Sequence, residues 1–114
     1  MIKNILPAIF SLASAISPAS AEPALAKISV LASGKLLLNG KPTDLASIEA
    51  EFKRLQIQKG VVWYYREGFQ AEPPQEATSM IELVIKYRLP ISMSSKADFS
   101  DVIDANGRSR PRKP

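Results

Sequence analysis

Val61-Val62-Trp63-Tyr64-Tyr65-Arg66-Glu67 decides the fold. No other run of the chain is so dense in aromatic and β-branched residues, which suit a pleated, half-buried strand. It holds three of the eight aromatic residues, including the only tryptophan. Helix-like patterns flank it on both sides, so it reads as a central strand of a sheet that both helices cover. Strand neighbours alternate, which leaves two ways to seat it. Val61, Trp63 and Tyr65 form one set; Val62, Tyr64 and Arg66 form the other. Composition favours burying the first, because Arg66 belongs in water.

Upstream of the strand, Leu45, Ile48, Phe52 and Leu55 recur at spacings of three, four and three, the apolar stripe of an amphipathic helix. That helix spans about 44–58. Thr43 or Asp44 is placed to cap it, Glu49 and Lys53 are placed to pair on its surface, and Gly60 is placed to end it in the left-handed conformation. Before it, 27–31 and 35–38 read as a hairpin around Ser33-Gly34, closed off by an Asn39-Gly40 turn. After the strand, 67–74 is the longest irregular stretch of the domain. A second helix then runs from Pro74 to about Arg88, with Ala77, Met80, Ile81, Val84 and Tyr87 inward and Pro90 preventing continuation. Ile91–Ser94 is a short last strand, and 98–103 is one more helical turn or a docked arm. The order β-β-α-β-α-β predicts an α+β two-layer sandwich, with both helices on one face of a small mixed sheet.

The 114 residues allow a single domain. Residues 1–21 have the form of an export signal: Lys3, an uncharged apolar run from Ile5 to Ile16, and Ala19-Ser20-Ala21 as the cleavage site. The alternative is a retained anchor, against which stand the short apolar run and its interruption by Pro7 and Pro18. The expected organisation is a signal peptide at 1–21, a folded domain at 22–104 and a disordered basic tail at 105–114. Localisation is then periplasmic.

The chain has no cysteine and no histidine. Disulfides, thiolate zinc sites, cysteine nucleophiles and imidazole acid–base chemistry are thereby excluded. An exported domain without disulfides suits a bacterial envelope. The net charge of +4 belongs to the ends of the chain. Residues 22–107 carry ten Lys and Arg against eleven Asp and Glu, while Arg108, Arg110, Arg112 and Lys113 crowd the tail. A near-neutral domain makes nucleic acid an unsuitable partner. The basic tail is available for weak, salt-sensitive contact with a membrane or other anionic surface.

Ile28-Ser29-Val30, then Ser33-Gly34-Lys35-Leu36-Leu37-Leu38-Asn39-Gly40-Lys41-Pro42, then Leu45 opening a helix, Val62-Trp63-Tyr64 as a middle strand and Leu89-Pro90-Ile91-Ser92-Met93 follow one another in an order that resembles the periplasmic domain of the ExbD/TolR family. The resemblance covers about residues 27–94. It implies a domain that can dimerise, works in biopolymer transport-like assemblies and, in TolR-like members, is linked with peptidoglycan. It also implies burial of Val62 and Tyr64, leaving Trp63 and Tyr65 on the open face of the sheet. The sequence departs from the family where its membrane helix carries a proton-transferring aspartate: residues 1–21 hold no acidic residue. Without an intramembrane carboxylate there is no proton relay, so motor function does not carry over. At the end of the middle strand, where the family has an aspartate, Glu67 sits nearest.

Candidate binding residues follow. Trp63 and Tyr65 are either an aromatic patch for a partner or ligand, or core. Arg66 and Glu67 flank the long loop, and Arg108, Arg110 and Arg112 lie in the tail. Glu67, Glu72 and Glu76 raise acid–base catalysis, though no pattern places two of them in a cleft. Asp98, Asp101 and Asp104 recur every third residue, which can gather a hard cation but suits helix capping and solvation better. No catalytic residue, metal or cofactor is expected. The sequence predicts a non-enzymatic binding or assembly domain whose partner is a protein, a second copy of itself or the cell-wall polymer. The alternatives are an exported inhibitor or immunity protein and a small hydrolase using the loop carboxylates.

Overall fold

A computed structural model describes residues 24–68 and 71–113. The expected signal peptide lies outside them. The strands are β1 (Leu25–Val30), β2 (Leu36–Leu38), β3 (Lys41–Thr43), β4 (Val61–Arg66), β5 (Ile91–Ser94), β6 (Asp101–Ile103) and β7 (Ser109–Pro111). The helices are α1 (Leu45–Gln58) between β3 and β4, and α2 (Gln75–Lys86) between β4 and β5. Five strands form a mixed sheet in the order β3-β2-β1-β4-β5, and β6 with β7 forms a separate hairpin.

The wall between the two layers follows from register. β1 runs antiparallel to β2 with Ile28 opposite Leu38. It runs parallel to β4, with Ala26 beside Val62 and Ile28 beside Tyr64. β4 runs parallel to β5, with Tyr64 beside Met93. Ala26, Ile28, Val30, Val62 and Tyr64 therefore share one face. Ile48, Phe52 and Leu55 of α1 and Ala77, Met80 and Val84 of α2 close over them to form the core. The α+β two-layer architecture is thus present, with both helices on one side. The middle strand is seated with Val62 and Tyr64 inward. Arg66 shares that face but lies at the strand's end, where it is only half-buried.

Several local expectations are corrected. Lys41-Pro42, expected as loop, and Thr43, expected at the helix cap, instead form β3, which pairs antiparallel with β2. Asp44 caps α1, its carboxylate accepting from the Ser47 amide at 2.8 Å. The left-handed residue ending α1 is Lys59 (φ 57), not Gly60. Gly60 is needed for space: a Cβ there would sit 2.6 Å from Leu55 Cδ2 and 2.7 Å from the Ala24 carbonyl oxygen. Glu49 bonds not to Lys53 but across the helix pair, accepting from Lys86 Nζ at 2.7 Å and from the Tyr87 hydroxyl at 2.6 Å. Both bonds favour the carboxylate and hold Glu49 below its ordinary pKa; the same contacts raise Lys86 and Tyr87. Pro74 is the N-cap of α2 rather than its first residue. The stretch 105–113 is not a disordered tail, because β7 lies in it and pairs with β6. Hydrophobic content did not foretell this, since the pairing draws on backbone and serine–carboxylate bonds.

Candidate functional site

The face of the sheet away from the helices carries Lys27 and Ser29 from β1, Trp63 and Tyr65 from β4, and Ser92 and Ser94 from β5, as the register requires. This is the face on which an aromatic patch was expected. Trp63 and Tyr65 do lie there, yet the C-terminal arm, residues 95–113, folds back over them. Phe99 is only 8% exposed and packs against both rings, with centroids 6.4 Å from each. The Arg112 guanidinium stacks 3.8 Å from the Trp63 centroid, within cation–π range, and the Lys27 ammonium sits at 5.4 Å. Arg112 also donates to the hydroxyls of Ser92 and Ser94 at 2.9 and 2.7 Å, and to the Phe99 carbonyl at 3.0 Å. Burial lowers its pKa, with the charge of Asp101 opposing that.

Asp101 is the polar anchor of the arm. It is 2% exposed and accepts from the Ser95 amide at 3.0 Å, the Ser95 hydroxyl at 2.5 Å and the Ser109 hydroxyl at 2.7 Å. Burial alone would raise its pKa. The Ser95 and Ser109 bonds to the charged form overcome that and bring it to about 2. Asp104 holds the turn of the hairpin, accepting from the Arg108 and Asn106 amides and pairing with Arg110 at 2.6 Å. Asp98 accepts from the Ser100 amide. The three aspartates thus serve three different turns. Among the described residues no three His, Cys, Asp or Glu side chains gather closely enough to hold a metal.

The loop acids do not converge either. Glu67 accepts from the Ala32 amide at 2.8 Å, tying the ends of β1 and β4. Arg66 donates to the Ala71 carbonyl at 3.2 Å. The Glu76 carboxylate lies over Gly34, whose φ of +93° and lack of a side chain make room for it. Of the candidate residues, the structure brings together Trp63, Tyr65 and Arg112. It leaves Arg66 and Glu67 at the far end of β4. Arg108 and Arg110 are placed in the hairpin rather than in a free tail.

With the open face occupied, the exposed large apolar side chains among the described residues are Ile91 and Met93 at one edge of the sheet and Ile57 and Ile85 on the helices. β3 is a poor edge for pairing, because Pro42 has no amide to offer and Lys41 is charged. β5 at the other edge has neither proline nor charge. Its Ile91 and Met93 are 37% and 43% exposed, although both lie on the helix side of the sheet. Beside them is a groove of about 320 Å³ between α2 and the sheet, lined by Tyr64, Pro73, Ala77, Ile81 and Met93, with Arg66 and Glu82 at its rim. Sequence reasoning missed Phe99 and the β5 groove, and it named Asp101 without its role as a buried anchor. The Asp-x-x-Asp spacing and the lone Phe in a polar stretch were visible, but which face they would meet was not. Comparison with family models, curated proteins and solved structures returned no match.

Proposed function

We propose that this chain is an exported, periplasmic, non-enzymatic binding domain that takes an extended segment of a protein partner onto the β5 edge. The observation that carries this is the contrast between the two edges of the sheet. One is blunted by Pro42 and Lys41. The other, Ile91–Ser94, is uncharged and free of proline, is unpaired on its outer side among the described residues, and sets Ile91 and Met93 beside an apolar groove. Strand addition supplies main-chain hydrogen bonds that set register, and a pocket for alternate side chains supplies selectivity. The ExbD/TolR resemblance and the leader-like sequence at 1–21 support an envelope assembly role. The partner is a protein of that compartment or a second copy of this chain.

The test is site-specific photo-crosslinking from position 93 in cells, with position 42 as the control. A discrete adduct from 93 and none from 42 is expected, and Ile91→Pro, which removes an amide that faces away from β4, is expected to abolish it. A crosslinked homodimer would make the partner a second copy. Equal labelling from both edges, or hydrolytic activity lost in Glu67→Gln or Glu76→Gln, would overturn the reading. N-terminal sequencing of the envelope form is expected to begin at Glu22.

A further inference from the structure

The three parallel strands all start at one end of the sheet. β1 begins at Leu25 beside Val61, and β5 begins at Ile91 beside Val62. Ala24, which precedes β1, lies at that end too, its carbonyl accepting from the Val61 amide at 3.0 Å. Both helices finish there as well, α1 at Gln58 and α2 at Lys86. The residues just past those helix ends are Lys59 and Arg88, both exposed and both with positive φ, 57° and 53°. Glycine occupies such positions without strain, whereas lysine and arginine do not. The two cations line the same cleft of about 220 Å³, with Gly60, Tyr87 and Pro90 among its walls. In the last turns of the helices stand the two most exposed large apolar side chains among the described residues, Ile57 at 81% and Ile85 at 68%. The opposite end of the domain leans the other way: Asp44, Glu67, Glu72 and Glu76 stand there against Lys35, Arg66 and Lys96.

We infer that the end carrying Lys59 and Arg88 rests on an anionic phospholipid surface. A lipid phosphate lies between the two cations, and Ile57 and Ile85 meet the headgroup–acyl boundary. Basic side chains close to a negative leaflet are each attracted by an amount corresponding to roughly fivefold in partitioning. Exposed apolar side chains at the same level add the hydrophobic part of an interfacial contact. The acidic far end orients the domain by repulsion. This contact is independent of the β5 edge, which runs along the side of the sheet, so failure of one reading leaves the other standing.

The test uses the exported form, which begins at Glu22, and co-sedimentation with vesicles of phosphatidylcholine alone or with phosphatidylglycerol added. The parent is expected to prefer the anionic vesicles, and salt is expected to weaken that preference. Lys59→Gly with Arg88→Gly relieves backbone strain at both positions, so the variant is expected to melt higher than the parent. Its preference for anionic vesicles is expected to fall on the order of 25-fold, one factor of about five for each cation. Arg108→Ala with Arg110→Ala is expected to leave the preference intact. Three results would each overturn the proposal: equal binding to both vesicle types, unchanged binding of the glycine variant, or loss of the preference in the hairpin variant.

Discussion

At the scale of single residues, the junction between α1 and β4 shows how two adjacent positions divide the work usually given to one glycine. Lys59 takes the left-handed backbone, while Gly60 lets Leu55 and Ala24 approach. The amide of Gly60 also donates to the Leu55 carbonyl at 2.8 Å, closing the last turn. The two positions should then respond in opposite directions. Lys59→Gly removes a left-handed penalty of about 1 kcal/mol and is expected to raise the melting temperature. Gly60→Ala forces a methyl group against backbone and core, and is expected to destabilise by about 1–3 kcal/mol in denaturant titration. Sequence reasoning identified the stop but assigned the positive φ to the wrong neighbour. A Lys-Gly pair does not say which member bends and which is crowded, because crowding depends on Ala24, thirty-six positions upstream.

At the scale of elements, the C-terminal arm is the part whose hold on the body is most polar. Its apolar contribution is Phe99, and the rest is Asp101 with its serine partners and Arg112 on Trp63. Asp101 has a folded-state pKa of about 2 against an ordinary 3.8. A depressed carboxylate pKa contributes stability that is fully present above the ordinary value and is lost as pH falls through the folded one. The arm is therefore expected to loosen between about pH 4 and pH 2, while the helix-covered core persists longer. Trp63 reports this directly, since it lies under the arm and is the only tryptophan. The expected outcome is a red shift and easier quenching of its emission before the far-ultraviolet helix signal falls, with Asp101→Asn already showing the loosened signature at neutral pH. The helices and the central strands were legible in the chain because each carries its own period and its own stop. The hairpin was not, because neither of its three-residue strands has a hydrophobic pattern and their pairing is set by serines and a buried carboxylate.

At the scale of the whole molecule, the arm turns a two-layer sandwich into a body with something on both faces of its sheet. A chain ending at Ile103 loses Ser109 and Arg112 together, and with them a bond to Asp101 and the cation over Trp63. That truncation is expected to lower the melting temperature and to expose Trp63, Tyr65 and Phe99 as a contiguous aromatic surface. The checks are binding of a hydrophobic dye and concentration-dependent association in sedimentation. A truncated chain that stays monomeric, with unchanged tryptophan emission, would mean that the hairpin contributes nothing to the body. The same view is why we propose the β5 edge and not the aromatic face for a partner: Phe99 of the arm already packs on Trp63 and Tyr65.

What the amino-acid sequence determined by itself is the set of elements with local signatures. The α1 stripe, the aromatic strand, the helix stops and an α+β class all follow from spacing within windows of a few residues. Only the tertiary structure decided which residues meet across long separations. Glu49 reaches Lys86 and Tyr87, Phe99 reaches Trp63 and Tyr65, and Arg112 reaches Ser92. The physical reason is that periodicity shows which side of an element is apolar, whereas the identity of the covering group depends on where the whole chain returns in space. A polar hairpin anchored by one buried carboxylate carries no hydrophobic rhythm to announce that return.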